Sequence, residues 1–276
     1  MTKAFLLLLF AWAATGALHA QTVNWTAVDT GLYIGTFISP VKSPLGNSEI
    51  TVVKINPKLY DFHLATAKTH GEEVHTAEEW CKSEGFIGAV NSGMFSLVDG
   101  MTNVGYMKDG PVINNRNFKS DFCSFLCFNP VDATLPPVQI LELCAQNDPQ
   151  WPIIDKKYNG VAQSLRMLSK TGTNVWAPAP KMWSMVVWGM DKSGNVLWIF
   201  TRSPFTVHTF VNILKQAPLN LYNMMYLEGG PEGSLYFNHK GKVLRKFGSY
   251  ETGFYENDGN PQFWPVPNVI GIKKKP

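Results

Sequence analysis

Two acids and three glycines crowd into the stretch LEGGPEGSLY, residues 227–236, between apolar runs. Glycine loses more backbone entropy on folding than any other residue, so Gly229, Gly230 and Gly233 mark torsions or close approaches that a side chain would forbid. They let the backbone approach a bound molecule while Glu228 or Glu232 faces it. The competing reading is a tight turn with solvated glutamates. A second polar break, AVNSGMF, ends another apolar run. Its Asn91 both donates and accepts hydrogen bonds and Gly93 can hold a bend, so meeting Glu228 would make a polar pocket mouth. Cations that could answer an anionic ligand are Arg166 in AQSLRMLSK and Arg202 in FTRSPF. A guanidinium holds a phosphate through two oriented donors, although either arginine would serve equally as a salt-bridge residue at the core edge. His208 could relay a proton or bind phosphate when charged, against the ordinary structural role of a lone helical histidine.

Several chemistries are missing from the chain. No G-x-x-x-x-G-K-[ST] loop and no G-x-G-x-x-G after a strand is present, which argues against ATP and dinucleotides. Cys123 and Cys127, spaced C-x-x-x-C, lack other convergent ligands for zinc, so no metal or other cofactor is expected. The formal charge of +3, one unit of it from Lys3, does not call for nucleic acid. The tail IGIKKKP reads as solvated. Cys81, Cys123, Cys127 and Cys144 would form two disulfides in an oxidising compartment, with three pairings open.

The elements that must position these residues follow from periodicity. Residues 33–38 and 50–55 are predicted strands separated by the turn-rich SPVKSPLGNS, with Ile50 and Val52 on one face of the second and Val53 and Ile55 on the other. Thr76 and Glu79 form a capping pattern for a short helix ended by Gly85, which puts Ala77, Trp80 and Cys81 on one face. GYMKDGPVI and the DKSGN of WSMVVWGMDKSGNVLWIF predict two hairpins. The period then changes: Val207, Phe210, Val211 and Leu214 follow helical spacing, with Thr206 as cap and Pro218 as stop. LYNMMYL returns to a strand and delivers Glu228 at its end, and LYFNHKGKVLRKF reads as another strand pair. NPVDATLPPVQI reads as a proline-bearing crossover. Alternating hairpins and isolated helices predict an α+β class, one mixed domain with a twisted, largely antiparallel sheet and packed helices.

The first 20 residues have a basic start at Lys3 and an apolar stretch from Ala4 to Ala14, shorter than the ~20 residues that cross a bilayer. They are expected to be a signal peptide cleaved after Ala20, leaving residues 21–276 as one exported domain in a bacterial periplasm or the medium, with no stable membrane anchor.

Taken together, AVNSGMF, AQSLRMLSK, WGMDKSGNVLWIFTRSPFTVHTFVN and MMYLEGGPEGSLYF resemble the phosphodiester glycosidase domain family, from about residue 48 to about 272. More distant relatives read Asp-Gly-Gly-Gly-Ser where this chain has Glu-Gly-Gly-Pro-Glu-Gly-Ser. The resemblance implies hydrolysis at the anomeric carbon of a sugar-1-phosphodiester in a glycan or sugar-phosphate conjugate. It implies a pocket in which Asn91 orients substrate, Arg202 binds phosphate, His208 adjusts a proton and Glu228 positions water or supports a cation-like transition state. Arg166 and Glu232 would be neighbours, and Gly93, Gly229 and Gly230 would supply backbone room. Two rivals stand beside it: a phosphodiesterase cleaving the P–O bond, and an exported carbohydrate-binding or envelope-assembly protein without turnover. For each tryptophan, core filling is the expectation over sugar stacking.

Overall fold

The computed structural model describes residues 21–276, so the expected leader at 1–20 lies outside the described residues. The chain forms one α+β domain in which every paired strand is antiparallel among the described residues. A central sheet has seven strands in the spatial order Asn24–Asp29, Leu32–Ile38, Glu49–Ile55, Val196–Phe205, Trp183–Asp191, Leu221–Gly229 and Arg166–Leu168. One five-stranded sheet runs Val112–Asn115, Met107–Asp109, Tyr158–Ser164, Ser124–Pro130, Val138–Glu142. The other runs Lys242–Phe247, Ser234–His239, Gly88–Asn91, Asn268–Lys274, Tyr60–Thr66.

Alternation along the central strands sorts the core into two layers. Val53, Ile55, Trp188 and Trp198 face the five-stranded sheets, where both indoles pack on Phe62 at 5.4 and 6.5 Å between ring centres. Ile50, Val52, Met185 and Tyr226 face the helix Val207–Gln216. Burying one such large apolar side chain stabilises the fold by about 1.5–3 kcal/mol. That helix begins where the Thr206 hydroxyl accepts the Thr209 N–H at 3.1 Å and buries Val207, Phe210, Val211, Ile213 and Leu214. The helix Ala77–Glu84 carries the expected capping box, ends at a left-handed Gly85, and buries Ala77, Trp80 and Cys81 against the outside of its sheet. Among the described residues no helix is long and apolar enough to cross a membrane.

Three expectations need correction. One disulfide forms, Cys123–Cys144, while Cys81 and Cys127 are free and buried. The pairing Ser124↔Glu142 brings Cys123 beside Cys144, whereas Cys81 and Cys127 pack in separate core clusters and cannot meet. The basic tail is the strand Asn268–Lys274, inside a sheet, with Lys274 paired to Asp29 at 2.8 Å and Lys275 to Asp61 at 3.5 Å. NPVDATLPPVQI joins two adjacent antiparallel strands as a hairpin connection and does not cross over.

Candidate active site

The LEGGPEGS segment is where the chain leaves the central sheet for a five-stranded one. Glu228 and Gly229 still pair with Val186 and Met185. The 3-10 turn Gly230–Glu232 follows, and Ser234–His239 then joins the strand Gly88–Asn91. Gly229 and Gly230 are required by this crossing. Gly230 has φ +62°, and a Cβ there would lie 2.5 Å from Glu251 Oε2 and 3.3 Å from Glu232 Oε2. A Cβ on Gly229 would collide with the Tyr226 hydroxyl. The turn is therefore both a tight connection and a wall around carboxylates.

Asn91 fixes the turn from the neighbouring strand. It is buried, its Nδ2 donates to Glu232 O at 3.1 Å, and its Oδ1 accepts the Ser234 N–H at 2.7 Å. Behind it Gly93 takes φ +155°, and a Cβ there would lie 2.6 Å from Asn103 Oδ1. That oxygen and the Ser92 hydroxyl are buried and make no hydrogen bond.

The acids form a cluster of three. Burial first, then the charges of Glu232 and Glu251, push the Glu228 carboxyl well above the usual carboxylate range, opposed by the Gly229 N–H that it accepts at 3.0 Å. Glu232 is pushed up to about 7, by burial first and then by Glu251, against a lowering contribution from its own backbone N–H. The Tyr226 phenol is likewise raised, by burial and then by the charges of Glu228, Glu251 and Glu232. None of the ion pairs among the described residues includes Glu228, Glu232 or Glu251. Nor are three acidic, His or Cys side chains grouped anywhere in the described residues so as to hold a metal ion. Carboxyl groups crowded together raise one another and hold their protons to higher pH.

The basic residues make their hydrogen bonds elsewhere. Arg202 donates to Asp258 Oδ1 at 2.6 Å, Phe247 O at 3.1 Å, Asp258 O at 2.9 Å and Asn260 O at 2.8 Å, and stacks on Phe247. It thereby brackets the segment 247–260, which carries Glu251. Ser184 adds to that clamp: its Oγ donates to Arg202 O at 2.5 Å and accepts the N–H groups of Ser249 and Tyr250 at 3.0 and 3.1 Å. His208 Nδ1 lies 2.6 Å from Trp176 O, and Asn174 donates to His208 O at 3.0 Å. This holds Trp176, whose ring centre lies 6.0 Å from that of Tyr226. Arg166 pairs with Glu142 at 3.2 Å and lines a cleft of about 300 Å³ with Trp176, leaving its buried Nε without a partner.

The structure thus brings Asn91, Glu228, Gly229, Gly230 and Glu232 together, places Gly93 directly behind Asn91, sets Arg202 and His208 around the periphery, and turns Arg166 to Glu142 instead. Sequence reasoning missed Glu251 and Tyr226. Tyr226 precedes Glu228 by two residues on the same strand, a spacing that could have flagged it. Glu251 gives no local signal, because long-range contacts, its bridge to Trp183 and the Arg202 and Ser184 clamp, bring it to the cluster.

Comparison with known proteins gives the same frame. The sequence model of the phosphodiester glycosidase family matches residues 84–273. No curated protein sequence matches the chain. Among solved structures, the catalytic domain of zebrafish N-acetylglucosamine-1-phosphodiester α-N-acetylglucosaminidase, auto-inhibited by its pro-peptide, superposes with TM-score 0.64 at 14% identity, covering 93% of this chain and 89% of that one. A hypothetical protein from Synechocystis gives 0.63 at 12% identity, covering 93% and 64%. An exported protein of Burkholderia pseudomallei gives 0.50 at 9% identity, covering 81% and 73%. At these identities the likeness is one of fold.

Proposed function

Since the chain belongs to the phosphodiester glycosidase family, we propose that it hydrolyses a sugar-1-phosphodiester at the anomeric carbon, in a glycan or sugar-phosphate conjugate, after export to the periplasm or medium. The observation that carries the reading to particular atoms is the glutamate cluster against Asn91, in which two carboxyl groups are held above their usual range without a cation. An oxygen of water bonds to the anomeric carbon as the bond from that carbon to the phosphate oxygen breaks. The bonding pair leaves with the phosphate, and the proton lost by water passes to the Glu232 carboxylate. Glu228, whose carboxyl burial holds well above the usual carboxylate range, donates its proton toward the departing phosphate oxygen. This refines the expectation that Glu228 would activate water: a carboxyl held neutral is suited to giving a proton. The remaining negative charge of the cluster favours a cation-like sugar in the transition state. Asn91 keeps the Gly230–Glu232 turn in place, while Arg166 is held by Glu142 and has no assigned role in the step. Arg202 and His208 act as positioning residues through the segments that carry Glu251 and Trp176.

The test is turnover of a panel of sugar-1-phosphodiesters in ¹⁸O-water, followed by mass analysis of both products. Label in the sugar hydroxyl is the expected result. Label in the phosphate would establish P–O cleavage instead, and saturable binding without product across the panel would leave a binding protein. Glu228→Gln is expected to lower kcat by about 10²–10⁴-fold, the usual contribution of an acid or base, with little change in substrate binding.

A further inference from the structure

A cavity of about 600 Å³ lies at the opposite end of the strand that carries Glu228. Tyr222 and Asn223, at the start of Leu221–Gly229, line it. At a rise of about 3.3 Å per residue this is roughly 15–20 Å from the glutamate cluster, so the cavity is a separate place on the molecule.

Its lining is unusual in three respects. The Tyr222 side chain is 42% exposed, which leaves a flat apolar plate with a polar tip at the cavity. Asn223 is 1% exposed and donates Nδ2 to Ile140 O at 3.1 Å, but its Oδ1 has no hydrogen-bond partner. A buried amide oxygen left unpaired is costly unless something outside the fold answers it. Finally, Lys170 and Lys192 line the cavity, and neither takes part in an ion pair among the described residues. The two carboxylates in the lining are already answered, Asp191 by Lys54 at 3.3 Å and Glu142 by Arg166 at 3.2 Å.

An aromatic plate, an amide acceptor and two free ammonium groups around one concavity match a sugar that carries an acidic group. We infer that this cavity is a second saccharide site, binding an anionic sugar unit with its ring on Tyr222, a hydroxyl toward Asn223 Oδ1, and its acid toward Lys170 and Lys192. The inference rests on the sugar-phosphodiester reading only for the choice of a sugar. It extends that reading by giving a long glycan a hold away from the reacting bond.

The probe is glucose 6-phosphate, a monoester that offers no anomeric phosphodiester to cleave, titrated into protein labelled with ¹³C at the methionine methyl groups. Met190 lines the cavity, and Met185, opposite Gly229, reports on the glutamate cluster. Glucose 6-phosphate is expected to shift the Met190 methyl saturably, with glucose and inorganic phosphate each about tenfold weaker, since each offers half of the contacts. Tyr222→Ala and Lys192→Gln are each expected to weaken the complex by about three- to tenfold. Both variants should leave turnover of a small sugar-1-phosphodiester unchanged. A response at Met185 alone, equal binding of inorganic phosphate, or wild-type affinity in Tyr222→Ala would overturn the inference. Because the readout is a methyl shift and the probe is no substrate, absence of hydrolysis in the activity test would leave this result standing, and failure here would leave the hydrolytic reading untouched.

Discussion

Replacing Glu232 by glutamine keeps the shape of the side chain and removes its titration. The carboxyl is held near pH 7 instead of its ordinary 4.5. At about 1.4 kcal/mol per pH unit, that displacement corresponds to roughly 3 kcal/mol of folding stability. Part of the side chain reaches solvent, which screens the effect, so about 1–3 kcal/mol is the expected range. The sign follows from proton uptake. Between pH 4.5 and 7 the folded chain holds a proton on Glu232 that the unfolded chain has released, so stability is greatest below pH 4.5 and falls as pH rises toward 7. Glutamine has no such proton. Urea denaturation of both proteins at pH 4.5, 6 and 8 should therefore show the variant gaining about 1–3 kcal/mol over the native chain across that range, with the gain complete by pH 8. Carboxylates outside the cluster are common to both proteins and cancel in the difference, while Glu228 loses one like charge and drops, adding to the gain. Parallel stability profiles, or a variant that loses ground as pH rises, would refute the claim that the Glu232 carboxyl is raised to about 7 in the folded chain. The same substitution should lower kcat by about 10²-fold or more and remove the limb of the pH–rate profile that rises through about 7.

Three further outcomes are expected. Arg202→Lys keeps the charge but loses the fork that holds Phe247, Asp258 and Asn260, so we expect a loss of about 2 kcal/mol and faster amide exchange across residues 248–260; a higher KM with unchanged exchange would identify a direct phosphate ligand instead. Asn91→Asp exchanges the donor facing Glu232 O for an acceptor, which should cost about 2–4 kcal/mol by thermal denaturation and abolish turnover at neutral pH, whereas Asn91→Asp with native stability would show that the turn is held without this bond. Cys123→Ser should cost about 3 kcal/mol, the value for a loop of this length, because the bridge spans 21 residues; in the native chain Cys81 and Cys127 should resist thiol reagents until unfolding, since burial pushes the Cys81 thiol up to about 12 and raises that of Cys127 as well.

What was legible in the sequence divides along the range of the interaction. The capping box at Thr76 and Glu79, the helix from Val207, and the two-sided strand at 50–55 depend on neighbours within a few residues, and all are present as expected. The strand Tyr60–Thr66 was not legible, because its partner Asn268–Lys274 is some two hundred residues away and ends in lysines that look solvated. Those lysines reach carboxylates at Asp29 and Asp61, while Lys273 lies over the Phe86 ring at 5.3 Å. The site divides in the same manner. Asn91 and Glu228 were visible because each ends an apolar strand beside glycines, whereas Glu251 sits in SYETGFYENDG, where nothing local separates it from Glu256 or Asp258. Long-range pairing to Trp183 makes that choice.

The placement of the arginine and histidine follows from the same electrostatics that raise the acids. A guanidinium within hydrogen-bond reach of Glu228 or Glu232 would favour their charged forms and draw both carboxyls back into the usual range, leaving no proton to give. Arg202 is instead turned to backbone carbonyls and Asp258, and His208 to the Trp176 carbonyl. Each side chain binds the chain that shapes the acid cluster without touching the acids. Ser184 completes the separation: with its hydrogen donated to Arg202 O and its oxygen accepting two N–H groups, it couples the arginine's strand to the segment bearing Glu251 through neutral contacts only. Burial by Tyr226 and the glycine turn then sets the proton affinity of the cluster, and the hydrogen-bonded brackets hold its members close enough for the acids to raise one another. On the proposed mechanism, moving a lysine or arginine into contact with the cluster would lower turnover more than removing Arg202, because it would ionise the acid assigned to give the proton.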